Sequence, residues 1–374
     1  MNSRTRTEDR RFLDEAARLA LKGRGFVEPN PMVGAVVVSP GGKVFKGWHA
    51  DYGGPHAEKA VLAKAREAAR GGTLYVTLEP CSTTGKTPPC VEAIVDAGVA
   101  RVVVGALDPN SAHNGRGIGL LKDEGVPVDL LDDPACETLL DRFKASLGRR
   151  RPWVVVKWAM TLDGRIAARD RSSKWISGEK SRRLVHRLRG HCDAVIVGAG
   201  TVHADDPSLN CRLKKAPLRA ARVVIDPDLS TPPGARLLQL GPTDTFPAGR
   251  ATIVTRPGHD AQTVAALEEA GAEILTVDCD GAQRALFFEK TLDRLFEKGI
   301  GRLLVEGGSG LITSAVDASL ADEAVVFVGP VVVGGADSLS PVLGEGAPSM
   351  EHALKLSDVS VARSGHDALM IGFF

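Results

Sequence analysis

Hydrophobic and polar positions along the chain alternate between a helical period and a strand period. Residues 7–22 read as a helix, followed by strands at 34–39 and 43–48. Residues 57–69 (AEKAVLAKAREAA) space their apolar side chains for a second helix, and the β-branched and aromatic run 73–78 (TLYVTL) predicts a strand. Pro88-Pro89-Cys90-Val91-Glu92-Ala93 opens a further helix with Cys90 in its first turn, where proline is favoured. A strand at 101–105 and a helix near 117–124 complete this half. The alternation argues for an α/β sandwich whose helices cover a central sheet.

Beyond residue 152 the apolar runs at 153–159, 193–197, 222–226 and 300–305 are continuous, as in buried parallel strands. The last leads through Glu306-Gly307-Gly308-Ser309-Gly310 into an apolar helix from Leu311, a turn in which backbone and helix N-terminus favour an anion. Valine clusters at Val36-Val37-Val38 and Val331-Val332-Val333, flanked by Gly or Pro, read as short buried strands. Between the halves, residues 147–152 (LGRRRP) are basic and end in proline, and read as a solvated linker. Two domains are therefore expected, residues 1–148 and 149–374.

A length of 374 residues suits two domains. With 47 basic and 46 acidic residues the net charge is +1, so bulk electrostatics favours small-molecule substrates over nucleic acid. The first residues lack an apolar signal-peptide core, and no apolar run reaches bilayer length, so a cytoplasmic location without a membrane partner is expected. The six cysteines do not read as a disulfide framework.

The chemistry concentrates in His56-Ala57-Glu58, Pro80-Cys81 and Cys90. One histidine and two cysteines give Zn²⁺ three ligands and leave the fourth position for water, the pattern of a catalytic site. Glu58 is placed to move protons, and His-x-Glu with a later Pro-Cys and Cys is the signature of zinc nucleobase deaminases. Eight residues separate the cysteines where the short form of that signature has two. Gly85-Lys86-Thr87 imitates the end of a Walker loop, but Pro80 stands where its first glycine belongs, so ATP is not expected there.

The first half resembles the riboflavin-biosynthesis deaminases through Pro29-Asn-Pro-Met-Val-Gly34, Gly47-Trp-His49, Pro55-His-Ala-Glu58 and the run from Leu78 to Thr87-Pro-Pro-Cys90. The second half resembles the reductases of the same pathway through Lys157-Trp-Ala-Met-Thr-Leu-Asp-Gly164, Ser173-Lys-Trp-Ile-Ser177, the run from Gly200 to Arg212, and Val305-Glu-Gly-Gly308. The resemblance covers nearly the whole chain. It implies a cytidine-deaminase-like three-layer αβα domain followed by a dihydrofolate-reductase-like α/β domain. It also implies one Zn²⁺, NADPH, phosphoribosylaminopyrimidine substrates and a homo-oligomer.

Residue roles follow from the same resemblance. His56, Cys81 and Cys90 would bind zinc, Glu58 would be catalytic, and Asn30, His49 and Lys86 would contact the deaminase substrate. Ala159, Trp175, Thr201, Asp205 and Gly308, Ser309, Gly310, Leu311, Ile312, Thr313 and Ser314 would lie near NADPH. Ser173, Arg189, Leu209, Arg212 and Glu306 would meet the reductase substrate, with Lys157 and Asp205 assisting proton transfer. The chain departs from the family pattern at Thr83-Thr84, where histidine is common, and at Pro227, where serine often follows the strand. Proline has no N–H to offer a cofactor. Three other readings compete: a deaminase with a non-catalytic second half, a nucleic-acid base deaminase, and a structural zinc protein. The reductase motifs oppose the first, the balanced charge and the two tyrosines oppose the second, and the open ligand position with Glu58 opposes the third.

Overall fold

The computed structural model describes residues 3–83, 88–213, 220–239, 251–279 and 283–374, with side chains from residue 6. Lys86 and Thr84 lie outside the described residues. The chain forms two compact units, Met1–Arg149 and Arg150–Phe374.

The first unit carries helices α1 (Ser3–Ala20), α2 (Ala57–Ala65), α3 (Cys90–Ala97), α4 (Arg116–Asp123), α5 (Pro134–Thr138) and α6 (Asp141–Ser146). Its strands are β1 (Gly34–Val38), β2 (Val44–Trp48), β3 (Thr73–Val76), β4 (Arg101–Val104) and β5 (Val128–Leu130), in sheet order β2-β1-β3-β4-β5. β1 pairs antiparallel with β2 and β3, and β3, β4 and β5 run parallel. Period-two alternation splits the strand side chains between two faces. Val36, Tyr75 and Val103 pack against Phe12, Leu13, Ala16 and Leu19 of α1. Ala35, Val37, Leu74, Val76, Val102 and Val104 face Val61 and Leu62 of α2, Ile94 of α3 and Leu121 of α4. Three layers result.

The second unit has helices α7 (Glu179–Arg189), α8 (Ala199–Asp205), α9 (Ala261–Glu269), α10 (Arg284–Glu297) and α11 (Ser309–Asp317). Its strands are β6 (Trp153–Met160), β7 (Ala194–Gly198), β8 (Ala221–Ile225), β9 (Ala251–Thr255), β10 (Ala272–Thr276), β11 (Arg302–Val305), β12 (Glu323–Val328), β13 (Ser357–Ser364) and β14 (Asp367–Phe373). They form one sheet in the order β10-β9-β8-β7-β11-β6-β12-β14-β13. The first seven positions are parallel, and β14 and β13 add antiparallel pairs. The valine-rich runs of β6, β7 and β11 are buried because helices cover the parallel part.

Two sequence expectations are corrected here. Val331-Val332-Val333 is not a buried strand: Val332 is 69% exposed, and the segment is a loop beyond β12. Pro330 has no N–H with which to extend the pairing, and Val333 N and Gly334 N donate instead to the Asp163 carboxylate at 3.2 and 2.7 Å. Arg151 is not a solvated linker residue either, since it forms a two-bond pair with Asp322 at 2.6 and 2.8 Å that anchors the start of β6.

Gly47 in β2 decides how closely α2 can lie on the sheet. A Cβ there would stand 2.6 Å from Val61 N and 2.9 Å from the Ala57 carbonyl oxygen, both backbone atoms of α2. Replacing Gly47 by alanine should therefore push α2 outward and destabilise the fold by about 1–3 kcal/mol. A lowered urea midpoint with an unchanged slope is the expected result.

Candidate active sites

The first site is assembled from the ends of three elements. His56 is the N-cap of α2, Cys81 follows the carboxyl end of β3, and Cys90 is the first residue of α3. His56 Nδ1 lies 3.5 Å from Cys81 Sγ and 3.3 Å from Cys90 Sγ, and the three ligand atoms fall within 4.8 Å of one another. A tetrahedral zinc with ordinary Zn–N and Zn–S bonds spaces its nitrogen and sulfur ligands by roughly 3.6 Å, so the donor set fits the metal. The Cys90 backbone N–H donates to Cys81 Sγ at 3.3 Å. Hydrogen bonding from the Cys90 thiol draws Cys81 down to about 4, and the same contact pushes Cys90 up. Two facing thiols sharing one proton are a place for a cation, which replaces that proton.

Glu58 sits in the first turn of α2 with 3% of its surface exposed, and burial pushes its carboxyl up. Asn30, His49, His56, Glu58 and Cys81 line one cavity of about 270 Å³. His49 pairs its Nδ1 with the Pro55 carbonyl at 3.0 Å, an acceptor, which fixes the proton on Nδ1. Its Nε2 then accepts from Asn30 Nδ2 at 3.4 Å. Glu79 and Asp108 also line the cavity and were given no role from sequence. The buried Glu79 carboxylate accepts from the backbone N–H groups of Asp108, Gly115 and Ile118 at 3.2, 2.9 and 3.2 Å. It thereby holds the loop that brings Asp108 to the cavity. Its signal was its place between β3 and Pro80-Cys81, but its partners lie 29 to 39 residues away.

The second site gathers around Glu306 at the end of β11. Arg189 grips both carboxylate oxygens, Nε to Oε1 at 2.5 Å and Nη2 to Oε2 at 2.9 Å, and Lys157 Nζ stands 3.8 Å from Oε2. Burial opposes the Glu306 charge, but the Arg189 guanidinium overcomes it and holds the carboxyl below the usual range. Burial draws Lys157 below an ordinary lysine, with Glu306 partly restoring it. Burial and the charges of Arg189 and Arg212 likewise depress His186, with Glu306 opposing them, which places these four side chains in one electrostatic neighbourhood. Leu209 is buried at φ 51°, and Arg189 Nη1 donates to the neighbouring Asn210 carbonyl at 3.1 Å.

The remaining expected residues spread over the same edge of the sheet. Thr201 Oγ1 accepts from Gly308 N at 3.1 Å and ties α8 to the start of α11. Asp205 pairs with Lys174 at 3.1 Å. Trp175 is 68% exposed, so it is no core residue, and the Arg182 guanidinium lies 4.4 Å from its ring centre. Ala159 and Ser173 are half-buried and Arg212 is exposed. Gly310, Leu311 and Ser314 line a cavity of about 380 Å³. Ser309 donates to the Ser340 carbonyl at 2.5 Å, Thr313 accepts from Leu343 N at 2.8 Å, and Ile312 is fully buried in the hydrophobic core. Pro227, set toward the cofactor by the sequence reading, also lines this cavity, as do His203, Ser230 and Arg284, which were not assigned to it from sequence.

Replacing Cys81 or Cys90 by serine should reduce zinc from one ion per chain to a small fraction, whereas Glu58→Gln should retain it. Elemental analysis of the purified variants is the check.

Known proteins match along both units. Residues 6–106 match the cytidine and deoxycytidylate deaminase zinc-binding region, and residues 152–370 match the RibD C-terminal domain. The chain is 37% identical to the riboflavin biosynthesis protein RibD of Aquifex aeolicus over 97% of each chain. It superposes on Acinetobacter baumannii RibD with a TM-score of 0.70 at 30% identity, covering 98% of this chain and 99% of that one. A Thermotoga maritima structure, described as a diaminohydroxyphosphoribosylaminopyrimidine deaminase/5-amino-6-(5-phosphoribosylamino)uracil reductase, gives 0.66 at 34% identity over the same shares. A zinc-type deaminase unit followed by a reductase unit, matched along almost its whole length, makes this chain a member of the RibD family of riboflavin-biosynthesis proteins.

Proposed function

We propose that this chain carries out two consecutive steps of riboflavin biosynthesis with the residues described above. The first unit hydrolyses the 2-amino group of 2,5-diamino-6-(5-phosphoribosylamino)pyrimidin-4(3H)-one and releases ammonia. The second reduces the ribosyl group of the resulting 5-amino-6-(5-phosphoribosylamino)uracil to ribityl. The observation that carries the reading is the convergence of His56, Cys81 and Cys90 beside Glu58 in one cavity, in a chain matched to this family from end to end.

His56, Cys81 and Cys90 would hold zinc, which when bound would supply a water acidified toward neutrality. Glu58 does the proton work. Its buried carboxyl, raised by desolvation, takes one proton from the attacking water and delivers it to the ring nitrogen, then takes the second from the hydroxyl left on the carbon and delivers it to the departing amine. Asn30 and His49 present an amide and an imidazole to the pyrimidine edge, with the His49 ring fixed by the Pro55 carbonyl. Lys86 supplies the phosphate contact.

NADPH supplies the hydride for the second step. The ribosylamine must first open, which places a proton on the ring oxygen and leaves a carbon–nitrogen double bond for reduction at C1′. Lys157 is the donor we assign, because it is buried and its ammonium is weakened by desolvation. Glu306 keeps it charged and Arg189 fixes Glu306. Asp205, ion-paired with the exposed Lys174, sits at the rim and serves the cofactor side. Arg189 and Arg212 suit the sugar phosphate, since a guanidinium fork binds its oxygens in pairs. Among the described residues no helix is long and apolar enough to cross a membrane. We assign the protein to the cytoplasm, acting on small molecules as a homo-oligomer.

Glu58→Gln should abolish ammonia release from the diaminopyrimidine ribotide yet leave NADPH oxidation intact when the deaminated product is supplied. Loss of both signals would count against two separate sites. Lys157→Met should lower the reductase kcat by about 10²–10⁴-fold. In the unaltered enzyme the reductase rate should fall on the basic side at a pH below the ordinary lysine value of ~10.4, because Lys157 gives up its proton earlier.

A further inference from the structure

We propose that His203 is the residue that recognises the 2′-phosphate of NADPH, as an imidazolium held at the end of β8 by Ser230 and Asp226. This inference rests on the reductase reading above. The cavity of about 380 Å³ opens beyond the carboxyl ends of β7 and β8, the edge at which open α/β sheets take nucleotides. β7, α8 and β8 form one strand–helix–strand unit whose two strands pair in parallel. In a nucleotide-binding unit of that kind the adenosine ribose comes to the end of the second strand. There an acid meets a 2′-hydroxyl, or a cation meets a 2′-phosphate. In this chain that end is Asp226, followed by Pro227, Asp228 and Ser230, and all four line the cavity.

His203, in the last turn of α8, is exposed and lines the cavity at the same end. Its Nε2 stands 3.2 Å from the Ser230 hydroxyl oxygen, and that hydroxyl donates to Asp226 Oδ1 at 3.0 Å. A hydroxyl has one proton to give, and the buried carboxylate takes it, so the serine oxygen accepts from His203 Nε2–H. The chain of bonds fixes one proton on Nε2, and Nδ1 donates only when the ring carries a second. A phosphate dianion favours that charged ring through a charge-assisted bond, which the 2′-hydroxyl of NADH does not match.

Among the described residues, the other polar groups at this end are committed. Asp226 Oδ2 accepts from Thr231 N and Oγ1 at 2.6 and 2.7 Å, and Asp228 pairs with Arg256 at 2.9 Å. Pro227 has no N–H to donate, and its carbonyl accepts from Thr255 Oγ1 and His259 Nε2 at 3.2 and 3.0 Å. On α8 itself, Asp205 pairs with Lys174 and Asp206 accepts from Arg236 N. Arg284 belongs to the other end of the cavity. Its Nη1 lies 3.6 Å from where a Cβ on Gly310 would stand, against the first turn of α11, which suits the pyrophosphate common to both cofactors.

The test is a calorimetric titration of the full chain, His203→Leu, His203→Arg and Arg284→Gln with adenosine 2′,5′-bisphosphate and with 5′-AMP, beside KM values for NADPH and NADH. His203→Leu should bind the bisphosphate about 10–100-fold more weakly, in line with the loss of a charge-assisted hydrogen bond, and 5′-AMP within about twofold of the original. Its KM should rise for NADPH and hold for NADH. His203→Arg, charged at every working pH, should restore the preference. In the unaltered chain the advantage of the bisphosphate over 5′-AMP should shrink as the pH rises, measured against His203→Arg, because the ring gives up its second proton. Arg284→Gln should weaken both nucleotides together. Equal weakening of both by His203→Leu, or no change in either, would overturn the proposal. So would the same pH course in the unaltered chain and in His203→Arg, or a loss confined to the bisphosphate in Arg284→Gln. An unaltered chain that binds and oxidises neither cofactor would instead overturn the reductase reading on which the proposal stands.

Discussion

The constraint behind both sites is the open carboxyl edge of a buried parallel sheet. Inside such a sheet each strand satisfies its backbone groups with its neighbours, and helices seal both faces. At the carboxyl edge the pairing stops, the chain turns into helix N-termini, and donors collect in one place. Cys81 leaves β3 at that edge of the first unit, and Cys90 and His56 stand at the starts of α3 and α2. Glu306 leaves β11 at the same edge of the second unit, four residues before Gly310 and the first turn of α11. One topological feature thus yields a thiolate site in one unit and a carboxylate site in the other.

The two sites handle buried charge in opposite ways. In the first, Glu58 stands in a cavity without a basic partner at salt-bridge distance among the described residues, so desolvation prevails and the carboxyl is raised. In the second, Glu306 is gripped at both oxygens by Arg189, so the attraction prevails over a comparable burial and the carboxyl is lowered. The first arrangement suits a group that exchanges protons, and the second suits a fixed anion that keeps a neighbouring ammonium charged. Lys157, 3.8 Å away, is itself depressed by burial, with Glu306 partly restoring it.

The sequence made the zinc cluster legible because its three ligands carry distinctive chemistry at short spacing, within 34 residues of one another. Strands β1 to β4, β6 to β8 and β11 were legible for a related reason, as β-branched runs bounded by turn residues, whereas β5, β9, β10 and β12 went unread. The grip of Arg189 on Glu306 spans 117 residues and rests on sheet topology, so only the family resemblance pointed to those two positions. Glu79 was visible as part of a motif, yet its task of holding a loop through three backbone N–H groups exists only once α4 is folded beside it. Val331-Val332-Val333 failed as a strand because composition reports propensity and not the absence of an edge to pair with. The β13–β14 hairpin went unread, since β13 has exposed Val359 and Val361 and lacks the apolar face that marks a buried strand.

The run from Lys157 to Gly164 shows how one motif divides its labour. Lys157 points to the Glu306 carboxylate at 3.8 Å. Asp163, six residues on, is bound otherwise: the Thr161 hydroxyl donates to it at 2.6 Å, and Gly334 N and Val333 N add two further bonds. These bonds hold its carboxyl near 2, so it stays an acceptor across the working pH range. Its partners lie in the loop after β12, a strand whose Val325 pairs with Lys157 itself. The aspartate therefore fastens the outlet of β12 to the outlet of β6, on the strand that carries Lys157. In this motif the acid is a clamp and the base faces a buried carboxylate, a division that residue types alone do not disclose.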